Sequence, residues 1–167
     1  IYEKQNKKSN AINMYLQLLK LLPNDFLIYT NLGILYLESA QLTKAEKSFR
    51  KAIEINSYDF YAQYNLGITL IDLNKLQEAE LRLKTAKAID ANHTEVHYKL
   101  GLVLYRLEKI KEAELSFKEA LAVNRKNIFA LNALGVLMRD QKKFQNSEKL
   151  FKEAIVHKPD YFDAYFN

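Results

Sequence analysis

The stretch HTEVH, residues 93–97, holds the residues whose types and spacing come closest to a metal site. His93 and His97 are four residues apart with Glu95 between them, and two histidines one helical turn apart can share a zinc ion. The repeat described below places His93 in a loop and His97 in a packing position. We therefore expect one loop histidine and one partly buried histidine, with no bound metal and no other cofactor.

The rest of the chain carries no catalytic motif. It has no glycine-rich phosphate loop, no nucleophile elbow and no carboxylate pair that stands out from the glutamates of charged helix faces. Cysteine is absent, which excludes disulfides, thiolate catalysis and cysteine-ligated metals. The sequence predicts that these residues are not an enzyme, while a catalytic domain fused to them in a longer protein stays open.

Composition favours an ordered protein whose charge is spread over helix surfaces. Of the 167 residues, 49% are hydrophobic and 27% are charged, and the net charge is +5. Most lysines alternate with glutamates, as in TKAEKSFRKAIE, which is typical of a solvated helix face. We therefore expect a protein or peptide as partner, and no nucleic acid.

No apolar run approaches the roughly 20 residues that a membrane-spanning helix needs. No signal peptide opens the sequence. Together with the absence of cysteine, these observations predict a cytoplasmic protein without a membrane span.

The glycines reveal an internal repeat of 34 residues. Each of them follows a leucine inside a helical pattern, where glycine costs about 1 kcal/mol relative to alanine. Small residues recur 12 and 19 residues after each glycine, and a phenylalanine or leucine recurs 16 residues after it. The four glycines of the chain are Gly33, Gly67, Gly101 and Gly135.

The order small, small, large, small explains why glycine is accepted within a helix. A glycine on one helix and alanines such as Ala45 and Ala52 on the next remove side-chain bulk where the helix axes approach closely. Phe49 then fills the volume beside them. The packing gained offsets the lost helix propensity, so the columns predict pairs of closely packed helices.

This pattern resembles the tetratricopeptide repeat, which has 34 residues and two antiparallel helices. The resemblance implies an all-α fold, an α-solenoid of helix-turn-helix repeats that forms a right-handed superhelix. We expect a single array over 1–167, cut from a longer chain. Its parts are a partial repeat at 1–25, full repeats at 26–59, 60–93, 94–127 and 128–161, and the start of a further repeat at 162–167.

Helix positions follow from the same register. We predict first helices near 26–39, 60–73, 94–107 and 128–141, and second helices near 9–22, 43–56, 77–90, 111–124 and 145–157. Lys8 occupies a loop column that is apolar in the later repeats, as at Leu42, so the first repeat is expected to fray. Short polar residues such as Asp25, Asp59, Asn127 and Asp160 lie where side chains can cap the first helices.

The resemblance also implies a binding groove along the concave face, lined by first-helix positions that packing leaves free. Aromatic side chains with neighbouring amides suit an extended peptide or a partner helix. From the register we expect Tyr61, Tyr64 and Tyr98 to be substantially exposed there. The predicted groove residues are Leu27, Asn31, Tyr61, Tyr64, Asn65, Tyr98, Lys99, Tyr105, Phe129 and Asn132.

Two groove chemistries of the family can be compared column by column. The clamp for chaperone carboxylates needs a lysine at Tyr64 and an asparagine at Ile68, so that ligand is not expected. The array is somewhat similar to the repeats of O-linked N-acetylglucosamine transferase, whose asparagine ladder matches Asn31, Asn65 and Asn167. Lys99 and Ala133 interrupt the ladder.

The leading hypothesis is a non-catalytic scaffold that binds a peptide or partner helix in the concave groove. The alternative is the substrate-recognition arm of a larger enzyme of the glycosyltransferase or sulfotransferase type. A third and weaker hypothesis is an RNA-binding helical repeat, which is disfavoured because the lysines do not gather on the groove columns. The exposed ends of the array are expected to allow self-association.

Overall fold

The computed structural model describes the chain from residue 2 to residue 167, with the side chains of residues 2–6 and 166 excepted. Over this range the chain forms ten helices and no strand. The helices are α1 (Tyr2–Leu21), α2 (Phe26–Glu38), α3 (Leu42–Ile55), α4 (Phe60–Asp72), α5 (Leu76–Ile89), α6 (Thr94–Arg106), α7 (Ile110–Val123), α8 (Ile128–Asp140), α9 (Phe144–His157) and α10 (Phe162–Phe166).

The helices divide between two compact units, unit 1 at Ile1–Ile89 and unit 2 at Asp90–Asn167. Unit 1 contains α1 and two helical hairpins, α2 with α3 and α4 with α5. Unit 2 contains the hairpins α6 with α7 and α8 with α9, and α10 packs against α9. Each hairpin therefore joins one predicted first helix to the second helix that follows it.

Helices α2 to α9 begin and end within one residue of the positions that the repeat predicts. The first helix does not: the prediction of a separate helix near 9–22 is wrong, because α1 runs without a turn from Tyr2 to Leu21. The apolar loop residue of the later repeats is replaced by Lys8, which cannot be buried in a turn. Its Nζ instead lies 2.8 Å from Oε2 of Glu38, in an ion pair on the unit 1 surface.

The turns inside the hairpins adopt a left-handed backbone without glycine. Ala40, Asn74, Glu108 and Lys142 have φ between 55° and 60°, a conformation that costs most non-glycine residues about 1 kcal/mol or more. The turn is retained because it satisfies helix-end carbonyls: the residue after Ala40 donates its N–H to Tyr36 O at 2.8 Å.

The seam of each hairpin confirms the packing role of the glycines. A Cβ added to Gly67 would lie 2.8 Å from Cγ of Leu83, well inside van der Waals contact. At the other three glycines the added atom would meet a phenylalanine ring. These rings and the alanines beside them, such as Phe49 and Ala52, are fully buried.

A polar column ties the start of the first helices to the preceding loop. Tyr29, Gln63 and His97 occupy the same repeat position, and each has a side-chain polar atom within hydrogen-bond distance of the carbonyl six residues earlier. The distances are 3.2, 2.9 and 2.7 Å, in that order. The fourth repeat has Leu131 here, buried and without a polar group.

Three of the four expected caps are present. Asp25 accepts the N–H of Leu27 at 2.9 Å, and Asp59 accepts that of Tyr61 at 3.0 Å. Asn127 caps α8 in the same way. The expectation for Asp160 is wrong: the residue before α10 is Tyr161, and no side-chain hydrogen bond caps that helix.

Candidate binding surface on the first helices

In unit 1 the predicted groove residues lie on α2 and α4 and include two well-exposed apolar side chains. Leu27 is 54% exposed and Tyr61 is 62% exposed. Asn31 is exposed on α2, while Tyr64 and Asn65 are half-buried on α4. We call this set, Leu27, Asn31, Tyr61, Tyr64 and Asn65, the unit 1 surface.

The aromatic residues of the unit 1 surface hold one another in place. The ring of Tyr64 stacks on that of Phe60, with centroids 5.9 Å apart and planes 6° apart. Tyr61 meets the same Phe60 ring edge-on at 5.4 Å. This contact explains why Tyr64 is less exposed than predicted, whereas the exposure predicted for Tyr61 is confirmed. A ring fixed in this way loses little freedom on binding a ligand.

Other polar groups around the unit 1 surface are directed at the protein itself. Asn65 donates Nδ2–H to Tyr61 O at 2.9 Å. Thr30 occupies the same column as Tyr64 but is buried, and its hydroxyl is hydrogen-bonded to the side chain of Asp59. Thr30 is therefore part of the packing and not of the binding surface, contrary to its position in the register.

In unit 2 the predicted residues lie on α6 and α8, and their aromatic members form a chain of contacts. The Tyr98 ring lies 6.4 Å from that of Phe117 in the hairpin seam and 6.0 Å from that of Phe129. Phe129 is 47% exposed and meets Tyr161 edge-on at 5.9 Å. We call the set Tyr98, Lys99, Tyr105, Phe129, Asn132 and Tyr161 the unit 2 surface.

Tyr98 is half-buried, so the prediction that it is substantially exposed is wrong. The cause is its position between Phe117 and Phe129, which cover much of the ring. Lys99 places its Nζ 5.2 Å from the centroid of the remaining Tyr98 surface, within the range of a cation–π contact.

Tyr161 belongs to this surface although the sequence reasoning did not select it. Its repeat column holds a polar residue at the start of most first helices, as at Asp59 and Asn127. The signal that could have identified it is the appearance of an aromatic residue in a capping column.

The phenols of the unit 2 surface stay protonated well above neutral pH. Burial, and then the negative charge of Asp163, raises the pKa of Tyr161 to about 12. Burial also raises the pKa of Tyr98. For Tyr105 the pKa is raised chiefly by the hydrogen bond that its hydroxyl donates to Asp140. At pH 7 these groups are neutral hydroxyls that can donate hydrogen bonds.

The remaining polar residues of the unit 2 surface are joined through the last residue. Asn167 donates Nδ2–H to Oδ1 of Asn132 at 3.1 Å and accepts from Nη1 of Arg139 at 3.2 Å. The ladder residue Asn167 thus contacts Asn132, which is not in the asparagine column of the ladder.

The histidines of HTEVH are not arranged around a common point. His97 is 3% exposed, with Nε2 2.7 Å from Ala91 O and Nδ1 3.2 Å from Oε2 of Glu119. Both ring nitrogens therefore face protein acceptors. Among the described residues, no group of three or more histidine, aspartate or glutamate side chains could hold a metal ion.

Sequence-family models identify the class to which this fold and these surfaces belong. A model described as tetratricopeptide repeat matches residues 37–103, and two more with the same description match residues 14–47 and 94–127. Together they span residues 14–127, well over half of the chain. The chain belongs to the tetratricopeptide repeat family, whose members are generally non-catalytic scaffolds for protein interactions.

Solved structures share the all-α solenoid fold at low sequence identity. MamA is 23% identical with a TM-score of 0.89, over 94% of this chain and 92% of that one. YrrB, described as a TPR protein with an unusual peptide-binding site, is 22% identical with a TM-score of 0.86, over 98% and 84%. The pilF protein of Pseudomonas aeruginosa is 19% identical with a TM-score of 0.82, over 93% and 71%.

No curated protein matches the chain in sequence. In the part of the chain that the structure describes, every helix is too short or too polar to cross a membrane.

Proposed function

We propose that the chain is a protein-interaction module that binds an extended peptide or a partner helix along the concave face formed by its first helices. The observation that carries this proposal is the exposure of Tyr61 beside the stacked pair of Phe60 and Tyr64. A large exposed aromatic side chain on a rigid support is the kind of residue that dominates the affinity of protein interfaces.

The unit 2 surface supports the same function with different chemistry. Phe129 offers apolar area, and the protonated hydroxyls of Tyr98 and Tyr161 offer hydrogen-bond donors. An extended peptide has carbonyl groups that accept such bonds and side chains that can cover Phe129. YrrB, which has the same fold, is described as having a peptide-binding site, and this agrees with a peptide as the ligand class.

The test is to select peptides from a random library against the folded chain and measure their affinity for two tyrosine variants. Tyr61→Ala should weaken binding of a selected peptide by about 2 kcal/mol, as loss of a central aromatic anchor often does. Its stability should change little, because an exposed side chain contributes little to the core.

Tyr58→Ala is the matched control. Tyr58 is 79% exposed but lies in the loop between α3 and α4, away from the unit 1 surface. Its loss should leave peptide affinity unchanged. Equal effects of the two variants, or a Tyr61 variant that binds like the wild type, would contradict the proposal.

A further inference from the structure

The outer groove of unit 1, between the second helices α3 and α5, is closed by ion pairs. Arg50 contacts Glu46 on its own helix at 2.8 Å and reaches across to the carboxylate of Glu78 on α5. Lys75 returns from the start of α5 to Glu46 at 2.8 Å. The carboxylate of Glu78 is thus the group that fills the space beside Arg50.

The corresponding groove of unit 2, between α7 and α9, lacks that carboxylate. Two repeats later Glu114 and Lys118 form the same pair within one helix, at 2.6 Å. The position of Glu78, however, is occupied by Asn146. Lys118 therefore faces α9 without the acidic partner that Arg50 has on α5.

Two further lysines border this groove. Lys143 and Lys149 make no ion pair within 4 Å among the described residues. Glu153 on the opposite side is already near Arg125, whose Nε lies 3.7 Å from its Oε1. The rim of the unit 2 groove thus has two lysines that no carboxylate neutralises at contact distance.

The difference in ion pairs is accompanied by a difference in open volume. In unit 2 the groove contains a cavity of about 360 Å³, with Leu134, Met138 and Leu150 as its apolar lining. In unit 1 the cavity is about 190 Å³, and Arg82 takes the repeat position of Leu150. Only the unit 2 groove combines apolar lining with uncompensated positive charge at its rim.

We propose that the outer groove of unit 2 is a second docking site, which binds an acidic segment of a partner protein. One bulky apolar side chain of the segment enters the cavity between α7 and α9. A neighbouring carboxylate takes the place beside Lys118 that Glu78 takes beside Arg50 in unit 1. The argument uses charge complementarity and the chain's own occupant of the equivalent groove, and it does not depend on the peptide site of the first helices.

The probe is an acetylated and amidated peptide with a central Leu-Phe pair flanked on each side by two glutamates. Titration into the isotopically labelled chain, followed by methyl NMR, should shift the signals of Leu134, Met138 and Leu150. Replacing the four glutamates of the peptide by glutamine should weaken binding by about fivefold or more, because the lysines then lose their partners.

The decisive variant is Asn146→Glu, which supplies the carboxylate from the chain itself. It should weaken binding of the acidic peptide by about tenfold or more and leave the thermal midpoint unchanged or higher. Gln145→Glu is the matched control, since it adds the same charge at the neighbouring exposed position, outside the cavity lining. Its effect on affinity should stay below about twofold.

Three results would overturn the proposal. The first is the absence of any methyl shift at millimolar peptide. The second is a set of shifts confined to Tyr98, Phe129 and their neighbours, which would place the acidic peptide on the first helices. The third is equal weakening by both charge variants, which would mean that the peptide responds only to net charge.

Discussion

In unit 1 Arg50 and Lys75 tie α3 to α5 through two glutamates, whereas in unit 2 the corresponding lysines leave α7 and α9 without an ion pair between them. The hairpin seams show no such divergence. Gly33 of unit 1 and Gly101 of unit 2 lie against phenylalanine rings in the same way. Buried columns are therefore repeated because they determine the fold, and exposed columns vary because they determine what each unit binds.

The largest expected effect comes from the shared seam. Gly101→Ala places a methyl group against the buried ring of Phe117. Overpacking typically costs roughly 1–3 kcal/mol and is offset by about 1 kcal/mol of helix propensity, so we expect a net loss of about 2 kcal/mol. Gly67→Ala should cost less, because Leu83 can change rotamer where a phenyl ring cannot. Urea denaturation midpoints measure both.

The rescue variant tests the cause of that loss. Phe117→Leu gives the seam of Gly101 the partner that Gly67 has, and it should recover part of the stability lost in Gly101→Ala. If the double variant is less stable than the sum of the single changes predicts, the ring is not what excludes the methyl group.

The next effect concerns a column in which the repeats differ. His97→Leu copies the residue of the following repeat, Leu131, but leaves the carbonyl of Ala91 without its side-chain partner at 2.7 Å. Loss of one partner of a buried hydrogen bond costs about 1–2 kcal/mol. His157→Leu on the exposed end of α9 is the control and should change the denaturation midpoint by much less.

A smaller effect is expected from the ion pairs of unit 1, and it depends on pH. Burial alone would raise the pKa of Glu46, but hydrogen bonds from Lys75 and Arg50 outweigh it and hold the pKa below the ordinary value of 4.5. The ionised group therefore contributes stability above that value, and the contribution is lost as the pH falls through the folded-state pKa.

The measurement compares thermal midpoints of the wild type and Glu46→Gln from pH 7 to pH 3. At pH 7 the variant should be less stable by less than about 1 kcal/mol, as for other partly exposed pairs. The difference should shrink toward the acidic end of the series. A difference that stays constant with pH would show that ionisation of Glu46 is not its source.

Most of the fold was accessible from the sequence because one period fixes many helices at once. The spacing of Gly33 and Gly101 with their phenylalanines predicts α2 to α9 within a residue. The start of α1 was not accessible, because the single substitution of an apolar loop residue by Lys8 does not say whether a turn frays or becomes helical. The ion pair with Glu38 became visible only in three dimensions.

The binding surfaces were accessible only in part. The register gives the direction in which a side chain leaves its helix, and it identifies Tyr61 correctly as exposed. It does not give the neighbours contributed by other helices. Tyr98 is covered by Phe117 and Phe129 from three-dimensional contacts that no column predicts, and Tyr161 joins it from a capping column.

The most direct test of the proposed function is amide NMR of the labelled chain with a library-selected peptide. Our account predicts that shifts concentrate on the first helices, around Tyr61 on α4 and Phe129 on α8, and that Tyr61→Ala removes them on α4. Shifts confined to the second helices α3, α5, α7 and α9 would contradict it.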